Sequence, residues 1–188
     1  LKQGKFSRSI NSFNNSLKIY HEKNKKSEQA YIYSLLGIVY WEQAQIEKAI
    51  NSFNLSIELI KDIGDIKVLK FIETMLVLSL WRKGDWNSSL ILLRKILPID
   101  IDSIPEPYRI IRETIETAIL KIKKRILIAK TQKMNIRIMQ AHFVLIPLFL
   151  CLGRKKNAKL HLLKTHSFAK MLKDNNVLKI ISILQELT

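Results

Sequence analysis

Apolar side chains recur along this chain at the spacing of helix faces. Between Ala30 and Tyr40, apolar or small residues stand at 33, 36, 37 and 40, the i, i+3, i+4, i+7 pattern of one face. Ile46, Ala49, Ile50, Phe53, Ile57 and Ile60 form a second face directly after it. The polar Glu42-Gln43-Ala44-Gln45 between them leaves room only for a tight turn, which predicts two antiparallel helices. In the following stretch Lys83-Gly84-Asp85 takes the place of that turn, and Gly64 in Lys61–Asp65 is the natural cap of the helix before it.

Pro98 and Pro105 then interrupt the pattern, because each disfavours helix in the residue before it. A long helix is expected from Pro107 to about Lys133, with its stripe at Ile111, Ile115, Ala118, Ile122, Ile126 and Ala129. A pair over roughly 137–152 and 155–172, split at Gly153, follows it. A last helix from Asn175 through Leu187 shows Leu178, Ile181, Leu184 and Leu187 on one side, as a capping element does. With five Gly, four Pro and β-branched residues set in helical periods, the fold class is all-α.

The pattern also repeats as letters. Ile10-Asn11-Ser12-Phe13-Asn14 returns as Ile50-Asn51-Ser52-Phe53-Asn54, and the same offset of 40 links Gly4 to Ala44 and Gly84, Leu36 to Leu76, and Trp41 to Trp81. A fixed period of this length marks stacked repeats, each hiding its apolar face against the next. Residues 1–97 are expected to form the array, beginning with a partial repeat. Residues 98–188 are expected to continue the same α-solenoid as degenerate helical repeats with a basic surface and a capping helix.

From Ala30 onward, Tyr33, Leu36, Gly37, Tyr40, Ala49, Phe53 and Ser56 resemble the preferred residue types of the tetratricopeptide repeat (TPR). The next unit departs at Val77, where the family prefers a small residue, and Leu80, Leu93 and Ile96 replace other preferred types. A fourth unit is placed at Leu145, Phe149, Ala158 and Leu162. Family resemblance implies helix pairs whose first helices line a concave groove. The residues implied to face a ligand are Tyr31, Ser34, Ile38, Trp41, Phe71, Thr74, Leu78 and Trp81. Packing of Trp41 and Trp81 against the following unit is an equal alternative. The basic residue and Asn that similar repeats use to clamp a chaperone's terminal carboxylate are missing, since Ser34, Ile38, Thr74 and Leu78 stand there. The period of 40 looks like that of arrays in regulatory and sensory proteins, in which a further domain N-terminal to Leu1 is expected.

Charge divides the chain unevenly. Of a formal net charge of +16, most lies beyond residue 100, and no Asp or Glu occurs from Thr117 through Lys173. The basic patch comprises Lys121, Lys123, Lys124, Arg125, Lys130, Lys133 and Arg137, then Arg154, Lys155, Lys156, Lys159, Lys164, Lys170 and Lys173. Such one-sided charge attracts an acidic protein, nucleic acid or an anionic surface. Phe143, Phe149 and Phe168 are the only aromatics there, and the first two sit in an apolar run, so little remains for stacking on bases.

Other classes find less support. Cys151, the single cysteine, lies between two leucines and is expected to be a buried thiol, which suits a reducing, cytoplasmic compartment. The apolar run 143–152 is about half the length of a membrane span. His161 and His166 are five apart, a poor fit to a helical metal site, and no phosphate loop, nucleophile elbow or paired carboxylates appear. The sequence therefore points to a protein-interaction scaffold without enzymatic activity, cofactor or metal. It would be the sensory or regulatory part of a larger protein and would bind a partner segment in the groove. The alternative is a nucleic-acid-binding helical repeat using the basic half.

Overall fold

Each predicted connector turns out to be a left-handed turn, and these turns keep time along the chain. Positive φ occurs at Asn24, Ala44, Gly64 and Gly84, and again at Lys133, Gly153 and Lys173. Within each series the interval is 20 residues, half the sequence period. A left-handed residue ends a helix by turning the next amide back onto its last carbonyls. Lys25 N–H thus donates to Tyr20 O, Gln45 N–H to Tyr40 O, and Asp85 N–H to Leu80 O. Farther on, Met134, Arg154 and Asp174 repeat this bond to Ala129, Phe149 and Ala169.

The computed structural model describes residues 2–188, with side chains from Phe6 onward, so Leu1 and whatever domain was expected before it lie outside the described residues. All regular structure in it is helical: α1 (Lys2–Glu22), α2 (Lys26–Glu42), α3 (Ile46–Ile63), α4 (Ile66–Lys83), α5 (Trp86–Ile96), a 3-10 turn (Ile101–Ser103), α6 (Ile110–Thr131), α7 (Asn135–Cys151), α8 (Lys155–Leu172) and α9 (Asn175–Gln185). The long helix expected from Pro107 begins three residues later, after a turn in which Tyr108 N–H donates to Pro105 O. Asp65 and Asp174 cap α4 and α9 by accepting from Val68 N–H and Val177 N–H.

The chain divides into two compact units. The first runs to Asp85 and takes in Ser103–Ile111; the second comprises Trp86–Asp102 and Arg112–Thr188.

In the first unit α2 and α3 run antiparallel. Ion pairing of Lys26 with Asp62 (3.2 Å) joins the start of one helix to the end of the other. Ser56 Oγ donates to Ala30 O at 2.6 Å inside the pair. Halfway along, Gly37 faces the ring of Phe53, and a Cβ placed on Gly37 would stand 2.5 Å from Phe53 Cε1. Phe53 is fully buried. Gly37 thus lets a whole aromatic ring fit where any side chain would force the helices apart. Between α3 and α4 the direction reverses again, with Lys83 against Glu47 at 3.0 Å.

One bond also links repeat to repeat. Arg82 of α4 donates from Nη1 to Trp41 O at the end of α2 (2.7 Å), and its guanidinium lies 5.1 Å from the Trp41 ring centroid. The cation meets the negative end of the helix dipole and an aromatic face together.

The second unit is built on the α7/α8 hairpin around Gly153. Leu145, Phe149, Ala158 and Leu162, the expected fourth repeat, are all buried in it. Trp86 of α5 meets Phe143 of α7 edge to face at 5.3 Å, and Arg94 of α5 pairs with Glu186 just beyond α9.

Two predictions follow from the Gly37–Phe53 contact. Gly37→Ala should lower unfolding free energy by about 1–3 kcal/mol through overpacking, and Phe53→Ala by about 3–5 kcal/mol through the cavity it leaves. In denaturant melts the double variant should lose clearly less than the two losses added, because the smaller residue at 53 relieves the clash at 37. Simple additivity would mean that the two positions do not share this contact.

Candidate functional site

The groove implied by family resemblance is closed at the residues named for it. Trp41 is 8% exposed and Trp81 3%, and Ser34, Ile38, Phe71, Thr74 and Leu78 are also buried. The two polar members spend their hydroxyls on their own helices, Ser34 Oγ on Tyr31 O (2.7 Å) and Thr74 Oγ1 on Lys70 O (2.9 Å). Trp41 is held under Arg82, and its Nε1–H is buried without an acceptor. In this conformation these residues pack the repeats together and offer a partner little surface. An exposed tryptophan anchor was therefore the wrong expectation, and packing against the next helix pair is what Trp41 does.

Tyr31 alone of the eight remains partly exposed, and the chain itself meets it. Tyr108, from the segment 103–111 of the same unit, packs edge to face on Tyr31 with ring centroids 5.3 Å apart. Burial first, then the charge of Asp65 and the neighbouring Tyr31, pushes the Tyr108 phenol up to about 12.

The basic patch fares differently. Lys121, Lys123, Lys124, Arg125 and Lys130 of α6 are exposed, as are Arg154 and Lys155, Lys156 and Lys159 of α8. Arg154 is partly neutralised, since its Nη2 reaches Glu116 Oε1 at 2.7 Å, and Arg112 approaches the same carboxylate. Lys123 lies over the Phe149 ring at 5.6 Å. The remaining cations decorate one acid-free stretch on two helices of the second unit.

Beneath that surface lies a pair the sequence reading missed. His142 of α7 and His161 of α8 are both buried, their Nδ1 atoms 2.8 Å apart in a hydrogen bond that requires one ring to donate and the other to accept. Phe149 stacks on His161 and Phe168 on His142. The two histidines are 19 residues apart and share no motif, yet they lie at nearly equal distances from the Gly153 turn. An antiparallel hairpin brings such positions together, and that was the available signal. Among the described residues no group of three or more metal-ligating side chains forms. Cys151 is buried, and burial pushes its thiol up.

Both histidines are held down at about 4. For His142 the causes are burial, then Lys164 and Lys130; for His161 they are burial, then His142, Lys164 and Lys123. The folded chain keeps these rings neutral, whereas unfolded histidine titrates near 6.5. Their contribution is therefore fully present above pH 6.5 and lost as pH falls towards 4. Each unit of depression corresponds to about 1.4 kcal/mol. Urea melts between pH 7.5 and 4.5 should show a steeper loss of stability for the wild type than for the His142→Phe/His161→Leu variant. Equal slopes would mean that the two rings take up protons as readily folded as unfolded.

Comparison with known proteins adds one likeness. No protein-family model matches the chain, and no curated protein does. Among solved structures it is similar to the apo form of RapI, with a TM-score of 0.46 and 17% identity over 93% of this chain. The match spans 65% of the RapI chain, just under two thirds of its length.

Proposed function

We propose that this chain is a protein-interaction module of TPR-like helical repeats, and that it recognises an acidic protein partner through the basic face of its second unit. The observation that carries this reading is the exposure of cations on α6 and α8 within a stretch, 117–173, that contains no carboxylate. Repulsion among like charges destabilises a compact fold, so such a surface is most stable when something anionic neutralises it. Burial of the tryptophan positions removes the competing surface, while the scarcity of exposed aromatics on the basic stretch argues against single-stranded nucleic acid. A sensory or regulatory place in a larger protein fits a module of this kind, which carries recognition and leaves chemistry to other domains.

The test is a titration of the whole chain with a glutamate-rich helical peptide and, separately, with a 20-nucleotide single-stranded RNA, each over a series of salt concentrations. Lys124→Glu with Arg125→Glu and Lys159→Glu should weaken peptide binding by about tenfold or more, an effect of the size expected for charges at an interface. Trp41→Phe should leave it unchanged. If the tryptophan substitution abolished binding while charge reversal did not, the partner would lie in the first unit. RNA binding stronger than peptide binding would move the chain to the nucleic-acid class.

A further inference from the structure

On α8 the lysines do not stand alone. Leu160, Leu163 and Met171 are 48%, 55% and 55% exposed, with Ser167 exposed among them. At 3.6 residues per turn the three apolar side chains fall within about 80° of arc, on the side opposite the buried Ala158, Leu162, Thr165 and Ala169. Lys156, Lys159, Lys164 and Lys170 surround this stripe, and all four are exposed. Single exposed apolar residues are ordinary; three aligned on one helix face inside a ring of like charge are a pattern.

We infer that the outer face of α8 is the seat of an amphipathic partner helix that presents leucine-like side chains to Leu160, Leu163 and Met171 and carboxylates to the surrounding lysines. This rests on the acidic-partner reading above and specifies the form the partner takes. Charge complementarity selects the sign, since α8 itself contains no acid that could satisfy an approaching cation. The width of the stripe selects the shape. A narrow seam along 18 residues, about 27 Å, matches the contact line of one helix on another. A lipid surface calls for a broader apolar face with aromatic residues at its edge. Nucleic acid would gain nothing from exposed leucine. Contact through the stripe supplies what lysine attraction lacks, namely a register along the helix axis.

The experiment uses the whole chain with four probes. They are an 18-residue helical peptide with leucines on one face between glutamates, the same composition scrambled, phosphatidylserine vesicles, and single-stranded RNA. Leu160→Ser with Leu163→Ser removes the stripe at exposed positions, and circular dichroism melts check that the fold is retained. Binding of the ordered peptide should be about tenfold tighter than binding of the scrambled one, and the serine variant should lose about that factor, as expected for central contacts of an interface. If the serine variant bound normally while Lys156→Glu with Lys159→Glu did not, the stripe is not the seat and only the acidic-partner reading survives. Failure of both peptides to bind overturns both. Stripe-dependent binding to vesicles, or RNA binding tighter than either peptide, overturns the helical occupant.

Discussion

The first unit depends on how closely α2 and α3 can approach, and that is set by the absence of a side chain at Gly37. The Phe53 ring occupies the space in which a Cβ would lie, so the pair closes around an aromatic ring without a void. Much else is arranged by that approach. It brings Ser56 to the carbonyl of Ala30 and sets the ends of the pair so that Lys26 meets Asp62. The exposed ion pair adds little energy of its own. The hydroxyl does more, because it satisfies a carbonyl inside the packed pair, where an unmet polar group is costly.

Helix faces, turn positions and the two glycine caps at 64 and 84 were legible in the sequence, because each is written in a local pattern. Other turns were less visible. Asn24, Ala44, Lys133 and Lys173 adopt positive φ without a glycine to announce it. The regularity of the second unit was hidden for a related reason: its backbone keeps the turn interval while its letters have drifted. What sequence reasoning misjudged was exposure. Trp41 and Trp81 stand at positions that family resemblance assigns to an open groove, but exposure is decided by neighbours distant in the chain. Arg82, 41 residues on, closes over Trp41.

The histidine pair shows the same limit from the other side. Neither residue carries a recognisable spacing, and each alone would pass for a polar group on a helix. Together they form a buried hydrogen bond that holds α7 to α8 and fixes complementary tautomers. Lysines that confer the surface charge also act inward, since Lys123, Lys130 and Lys164 disfavour a proton on the imidazoles below them. The outer and inner faces of this region are coupled through charge alone. Neutralising those lysines from outside would make the buried pair easier to protonate.

The turns recur at 20 residues, yet recognisable letters recur only at 40. Successive helices point in opposite directions, so a shift of 20 superimposes the turn geometry while reversing chain polarity and exchanging one helix position for the other. A shift of 40 restores both. Duplication or loss of a single helix would leave its neighbours meeting the wrong faces, with side chains such as Gly37 and Phe53 out of register. Exchange of a helix pair would preserve every contact type. The unit of inheritance in such a chain is thus twice its unit of geometry, and genetic change in its length is tolerated in steps of a whole hairpin.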